Sequence, residues 1–416
     1  METRHIRHNR TFLLIIVTCI LSCNPYCADN ATLSIVSIID STSWQMCLVK
    51  LHSIIESTNY LSRLKFKFLL FNFSISAWES KLNACFFDKK MHVESKIWSS
   101  SLFLQKKLEH DHKFSKEHIF ARFYLPKIFS DINTRRMLYL DNDMVVTTDV
   151  IDFLSTKMIM VGRNYKQLDN MQNIQLNDSA VDEEYQAPVS LVFEKAIFYQ
   201  FYIEKHFDTN HTYVRQAIFL HGGYKYFCNS GVVLYDTFLW LQQNQTGHVE
   251  DLLLANKNQL HHGNRPIFDS ASGDQGVFYL LQSMSYLEPR FNMRRHPVRS
   301  ISLMSRTTGI IHFAGIMGGI RNLCQYPLLH PPLLHNALPL YLSVHASIEH
   351  KCYAAVHDSP SSMTISHDTV AEWCGSRAVQ KLLSELARRR NLTGVSNNVV
   401  FYHSGVGNFT WPPAEH

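Results

Sequence analysis

The chain has 416 residues, 46% of them hydrophobic, and a formal net charge of +5. That is enough to bury one large core with extensions, and the lysines and arginines are too scattered to form the clustered stripe of a nucleic-acid-binding surface. The tightest basic run, at 388–390, closes an apparent helix, where cations favour the helix dipole.

At the N-terminus Arg4, Arg7 and Arg10 precede the apolar run 11–23. Its length fits a signal-peptide core and falls short of the roughly twenty residues a spanning helix needs. A cleaved signal over 1–27 is expected. A short signal anchor is the alternative, because 22–28 lacks a small-x-small cleavage site. Either way the bulk of the chain enters the secretory lumen, in the Golgi or the endoplasmic reticulum, anchored or secreted. Sequons at Asn30, Asn72, Asn177, Asn210, Asn244, Asn391 and Asn408 agree with that compartment, and each predicts a surface position. Of the nine cysteines, Cys19 and Cys23 lie in the targeting segment, and Cys352 and Cys374 flank a tail loop that an oxidising lumen would allow to be bridged. Cys47, Cys85 and Cys228 read as buried free thiols. None of the nine has a Cys-x-x-Cys zinc or redox spacing.

The apolar run 32–40, helical spacing over 44–55 and a second apolar run at 64–73 give β-α-β. Residues 115–129 read as a helix broken near Pro126, feeding a strand at 137–140. Strands alternating with helices predict an α/β fold with a mostly parallel sheet, whose ligands bind beyond the carboxyl ends of the strands. Asp40, Asp141 and His312 all fall at such ends. The stretch 163–224 is polar and irregular, with room for short helices, and suits an acceptor-binding insertion. The prolines between 327 and 339 end a core domain spanning 31–330. In the extension 331–416, Val379, Leu382, Leu383 and Leu386 form one face of a packed terminal helix.

Chemistry concentrates in four segments. In LYLDNDMVVTTDV, 138–150, an apolar strand delivers Asp141 and Asp143. Residues i and i+2 of a strand share a face and lie roughly 6 to 7 Å apart, so both carboxylates reach one divalent cation. Oxygen ligands suit magnesium, manganese or calcium, and a nearby imidazole shifts the choice towards manganese. An acidic turn after a strand has the same sequence. The other three segments are YFCNSGVVLYD at 226–236, SGDQGVFYLL at 272–281 and GIIHFAG at 309–315.

In this order the segments resemble the family-8 glycosyltransferases, the group of glycogenin, the plant galacturonosyltransferases and related xylosyltransferases. That family has a metal-binding Asp-x-Asp after an apolar strand, an Asn-Ser/Ala-Gly turn, an Asp-Gln pair opening a helix, and a late His-x-x-Gly. ARFYLP at 121–126 resembles the family segment before the metal motif, and the likeness covers roughly 31–326. It implies a nucleotide-diphospho-sugar transferase (GT-A) fold and retaining transfer of a hexose or pentose from a UDP-sugar to a hydroxyl of a glycan or glycoprotein. By the same resemblance Asp141, Asp143 and His312 hold manganese or magnesium. Gly315 lets backbone N–H groups approach the diphosphate, and Arg122 offsets its charge. Asp40 accepts from the uracil N–H, and Trp44 stacks on that ring. Asn229, Asp274 and Gln275 bind the transferred sugar and flank its anomeric carbon. Bland readings stand beside each: a strand-end aspartate, a core tryptophan, a surface arginine, a turn at 229–231 and a helix-capping Asp274.

The departures from the family pattern are Gly276 in place of the third residue of Asp-Gln-Asp, and Gly318, Gly319 and Ile320 where Lys-Pro-Trp is usual. The missing lysine normally holds the diphosphate. Its absence implies a slow enzyme, or a catalytically inactive protein of the same fold that binds glycan or a partner enzyme, unless Arg321 supplies the cation. LDNDMV also fits the Asp-x-Asp-x-Val of haloacid-dehalogenase phosphatases, but after Gly273-Asp274 the place of their further aspartate holds Phe278.

Overall fold

A computed structural model describes residues 31–99, 117–158, 186–292 and 309–312, apart from short breaks at 42, 87, 132–133, 196–197, 225, 270–271 and 282. The expected targeting segment 1–27, the extension 331–416, Gly315 and Arg321 lie outside the described residues. Strand β1 (Leu33–Ile39) leads to helix α1 (Trp44–Ser57), strand β2 (Leu64–Leu70), helix α2 (Ile75–Phe86) and strand β3 (His92–Ile97). Helix α3 (Glu117–Phe120), a 3-10 turn (Ala121–Tyr124) and helix α4 (Leu125–Ile128) precede β4 (Arg136–Leu140) and β5 (Met144–Val146). After a 3-10 turn (Val150–Leu154) come β6 (Val189–Lys195), α5 (Phe198–His206), α6 (Thr212–Leu220), β7 (Tyr226–Asp236), α7 (Thr237–Gln242) and α8 (Gln245–His261). Helix α9 (Gly273–Leu280), β8 (Met284–Leu287), a 3-10 turn (Pro289–Asn292) and β9 (Ile310–His312) complete the described part.

Seven strands form one sheet in the order β3-β2-β1-β4-β7-β6-β8, and β5 pairs with β9 in a separate ribbon. β3, β2, β1 and β4 are mutually parallel, β7 is antiparallel to both neighbours, and β6 is parallel to β8. The expected mostly parallel α/β sheet is therefore present, with β7 as its reversed strand.

Two-residue periodicity builds a core on each face of the sheet. Leu33, Ile35 and Ile39 of β1, Leu138 and Leu140 of β4, and Val232 and Leu234 of β7 pack with α1, α2 and the β5–β9 ribbon. Val36, Met137, Tyr139, Val233 and Tyr235 face the other way, against Phe123, Trp240, Leu253 and Phe278. Large aromatics fill both layers: Trp78 meets Phe68 edge-on at 4.9 Å, and Trp240 meets Tyr235 at 5.1 Å.

The break expected near Pro126 is present as a 3-10 turn at Ala121–Tyr124, and Pro126 itself sits in the first turn of α4, where its missing N–H costs no hydrogen bond. Two expectations change. The stretch 163–224 is not merely irregular, because VSLVFEK forms β6, a strand with neighbours on both sides. Residues 229–231 are not a turn before a strand but lie inside the eleven-residue β7. There the pairing with β6 jumps from Leu191↔Val233 to Val192↔Asn229, so Ser230, Gly231 and Val232 bulge out of that ladder.

Candidate metal and sugar-nucleotide site

Asp141 follows β4 at its carboxyl end, and Asp143 precedes β5 two residues later. His312 ends β9, paired with Met144. This register brings the imidazole over the acidic loop: His312 Nε2 lies 3.3 Å from Asp143 Oδ1 and 3.6 Å from Asp141 Oδ2. The three residues offer ligand atoms within 4.8 Å of one another. Burial alone would raise the Asp143 carboxyl, but a protonated His312, a backbone hydrogen bond and Lys50 together hold the group below its ordinary value.

The loop is pinned from behind by Lys50. Fully buried on α1, it donates to Ser37 Oγ at 2.7 Å, to the Leu140 carbonyl at 2.8 Å and to Asn142 Oδ1 at 2.9 Å. Asn142 Nδ2 donates in turn to the Ile38 carbonyl at 2.7 Å. The middle residue of Asp-Asn-Asp is thus tied into the sheet while its two neighbours face the site. Burial pushes the Lys50 ammonium below its ordinary value, partly offset by Cys47, Asp141 and Asp143.

Gly231 forms the opposite wall. Its carbonyl accepts from Asp141 N at 2.8 Å, which couples the β7 bulge to the acidic loop. A Cβ on Gly231 would stand 2.2 Å from His312 Cε1 and 2.6 Å from Nδ1, so glycine is required for the ring to lie there. Asn292, absent from the sequence-derived set, places Oδ1 2.8 Å from His312 Nδ1 and donates from Nδ2 to Asn229 Oδ1 at 2.8 Å. No pattern in the sequence singles out Asn292. Lys50 had one signal, a lysine at a core-facing helix position.

Arg122 lies between the metal candidates and the sugar candidates. Its Nη1 is 2.6 Å from Asp274 Oδ2 and donates to the Ser230 carbonyl at 2.9 Å, while Nη2 is 3.4 Å from Asp141 Oδ1. Nε donates to the Ile119 carbonyl at 3.1 Å, and the guanidinium lies over the Tyr139 ring at 4.7 Å. The Tyr139 hydroxyl donates to Asp141 Oδ1. The alternative reading of Arg122 as a surface arginine fails, since the side chain is buried and clamps two carboxylates. Burial raises the Asp274 carboxyl above its ordinary value even with Arg122 opposing it.

Asp274 lies in the first turn of α9 rather than capping it; Ser272 holds the cap position. Gln275 is half-buried, its carbonyl accepting from the Cys228 thiol at 3.2 Å. The glycine at 276 has a local reason here, because a Cβ would stand 2.3 Å from Ser272 Oγ. Asn229 is buried, with Oδ1 accepting from Gly231 N at 2.9 Å and Nδ2 unpaired within the described residues.

Asp40 and Trp44 sit at the neighbouring strand end. Asp40 Oδ1 accepts from Ser43 N at 2.8 Å, as a turn aspartate does. Trp44 is buried, and the Lys81 ammonium lies 3.9 Å from its ring centroid. Of the cysteines, Cys47 and Cys228 are buried thiols outside any disulfide, as expected, whereas Cys85 is disulfide-bonded.

The family model Glycosyl transferase family 8 matches residues 26–317. A comparison with curated proteins gives no match. Among solved structures, similarity is found to the galactosyltransferase LgtC in complex with donor and acceptor sugar analogues, at 14% identity and a TM-score of 0.45, over 76% of this chain and 95% of that one. The bifunctional glycosyltransferase WbbM is similar at 14% identity and 0.45, over 70% of this chain; the match spans 47%, about half, of WbbM. Mouse xyloside xylosyltransferase 1 is similar at 14% identity and 0.41, over 68% and 98% of the two chains.

Proposed function

The chain belongs to glycosyltransferase family 8 and is a glycosyltransferase, and from that premise we propose that it moves a hexose or pentose from a UDP-sugar to an acceptor hydroxyl, with retention, using a divalent cation. The observation that carries the metal reading is the convergence of Asp141, Asp143 and His312. With the imidazole neutral, two carboxylates and a ring nitrogen turned towards each other form an acceptor set that suits a cation, and the nitrogen favours manganese over magnesium. Such an ion supplies Lewis-acid stabilisation to the charge that grows on the departing diphosphate.

The chain's own residues do the rest. Arg122 holds Asp141 and Asp274 in fixed relation, so the cation side and the sugar side of the site are set by one guanidinium. Asn229 keeps a buried amide N–H group, unpaired among the described residues, for a sugar hydroxyl. An unmet donor of this kind costs about 1–3 kcal/mol, which a hydroxyl acceptor would recover. Asp274 and Gln275, at the start of α9, border the place of the anomeric carbon. Asp143→Ala should abolish manganese-dependent UDP-sugar turnover while leaving the melting temperature close to that of the parent. A variant with parental turnover would sink the metal assignment.

The same reading places the protein in the secretory lumen. Support comes from Asn72, Asn210 and Asn244, all exposed, and from the Cys85 disulfide, since such bonds persist in oxidising compartments. Expressed in a eukaryotic cell, the protein should carry glycans that an endoglycosidase removes; unchanged mobility after digestion would argue against lumenal entry.

A further inference from the structure

We infer that Asn292 is a positioning residue of the metal site: it fixes His312 in the tautomer whose Nε2 carries the lone pair towards Asp141 and Asp143. The inference rests on the metal reading above and assigns a role to a residue outside the ligand set.

The backbone N–H of Gly231 can only donate, and it points at Asn229 Oδ1 at 2.9 Å. That fixes which end of the Asn229 amide is oxygen. The near end of the Asn292 amide then faces two acceptors, Asn229 Oδ1 at 2.8 Å and the Asn229 carbonyl at 3.5 Å. An amide end facing two acceptors must be the NH2 group. The far end is therefore Oδ1, and it lies 2.8 Å from His312 Nδ1. A carbonyl-type oxygen can only accept, so Nδ1 carries the proton. In the neutral ring Nε2 is then the unprotonated nitrogen, and it faces Asp143 and Asp141 at 3.3 and 3.6 Å. A bound imidazole is usually oriented in this way, by an acceptor on its other nitrogen.

The geometry of Asn292 is itself fixed. It is 2% exposed and ends the Pro289–Asn292 turn, whose Phe291 ring packs on Phe153 with centroids 4.4 Å apart. Gly309 N donates to the Arg290 carbonyl at 2.9 Å, and the Gly309 carbonyl accepts from Thr147 N at 3.0 Å, stitching this turn to the ribbon that carries His312. The relay also joins the site's two halves, since Asn229 offers Oδ1 to Asn292 and keeps Nδ2 for a ligand.

The test is a manganese titration followed by electron paramagnetic resonance of the free ion, on the full chain without donor sugar. Wild type, His312→Ala, Asn292→Ala and Asn292→Asp are compared, each checked for a cooperative melt. Wild type should bind and His312→Ala should lose binding. Removing a partner of a ligating histidine typically costs 10–100-fold in metal affinity, so Asn292→Ala should weaken binding at least tenfold. Asn292→Asp keeps an acceptor for Nδ1–H and should lose less than the roughly tenfold that removal of such a partner costs, even if its melt is lower because the donor to Asn229 is lost. That split separates positioning from packing, which both variants disturb.

A folded Asn292→Ala with wild-type affinity, beside a His312→Ala that fails to bind, would overturn the relay and leave the metal site standing. If Asn292→Ala does not fold, Asn292→Asp decides alone, and a folded Asn292→Asp as weak as His312→Ala overturns the relay. Wild type that binds no manganese, or His312→Ala that binds normally, would overturn the metal reading and the relay with it.

Discussion

At Gly231 the absence of a side chain is a requirement of geometry. A single methyl group there would stand 2.2 Å from one His312 atom, 2.6 Å from another and 2.8 Å from Met144 Cε. The imidazole would have to leave its seat, and overpacking of this kind costs typically 1–3 kcal/mol. Gly231→Ala should therefore weaken manganese binding at least tenfold, the lower end of what misorienting a ligand costs, with a modest fall in melting temperature. Normal binding by this variant would mean that the ring is not held where the structure has it. At this scale the sequence was unevenly informative. Asp141, Asp143 and His312 stood out because charged or titratable residues end apolar runs. Asn292 did not, because its role comes from two contacts brought together by the chain folding back over β7 and β9. Lys50 was visible in principle: LVKLHSII places a lysine among apolar helix positions, where it needs internal acceptors.

The ribbon of β5 and β9 carries His312 and borders the acidic loop, yet each of its strands has only three residues. A two-stranded pair is marginal on its own. Burial of Ile310, Ile311, Met144 and Val145 in the core beneath must hold it in place. Ile311→Ala removes a fully buried side chain, and such truncations cost about 2–5 kcal/mol. It should lower both the melting temperature and the affinity for manganese. Leu253→Ala, a truncation on the opposite face of the sheet, should lower the melting temperature alone. Equal loss of manganese affinity in both would show that the ribbon has no special hold on the site. The alternating strands β1, β2 and β4 and helix α1 were legible from period-2 and period-3.6 patterns. β6 was not, because its apolar run is short and follows a polar stretch that dominates the local composition. Asn-Ser-Gly reads as a turn because it is turn chemistry; in the structure the ladder to β4 begins at the next residue, Val232, and Asp141 N donates to the Gly231 carbonyl, which holds the segment against the sheet.

Across the whole molecule, acid should weaken the fold through His221, far in sequence from the metal loop. This side chain is 1% exposed, at the end of α6, and rings from Phe193, Tyr279 and Tyr286 surround it. Its Nε2–H donates to the Tyr279 carbonyl at 2.8 Å, and Nδ1 lies 3.2 Å from the Tyr286 hydroxyl. The neutral ring meets both contacts, with Nδ1 accepting from the tyrosine. Burial depresses its pKa to about 4, although the hydrogen bond to Tyr279 works the other way. In the unfolded chain the same group titrates near 6.5. On acidification the unfolded state takes up the proton first, so the contribution is fully present above about pH 6.5, falls as the pH drops, and is exhausted below about pH 4. The difference of about 2.5 units corresponds to about 3 kcal/mol, a large part of the margin of an ordinary domain. Denaturant unfolding of wild type and His221→Gln at pH 7 and pH 4 checks this, because the other histidines and carboxylates cancel in the comparison. The variant should be the less stable protein at pH 7, since glutamine fits the aromatic cage less well. Its deficit should shrink by about 3 kcal/mol towards pH 4. A deficit that stays constant over this range would mean that His221 gains its proton as readily in the folded state as in the unfolded one.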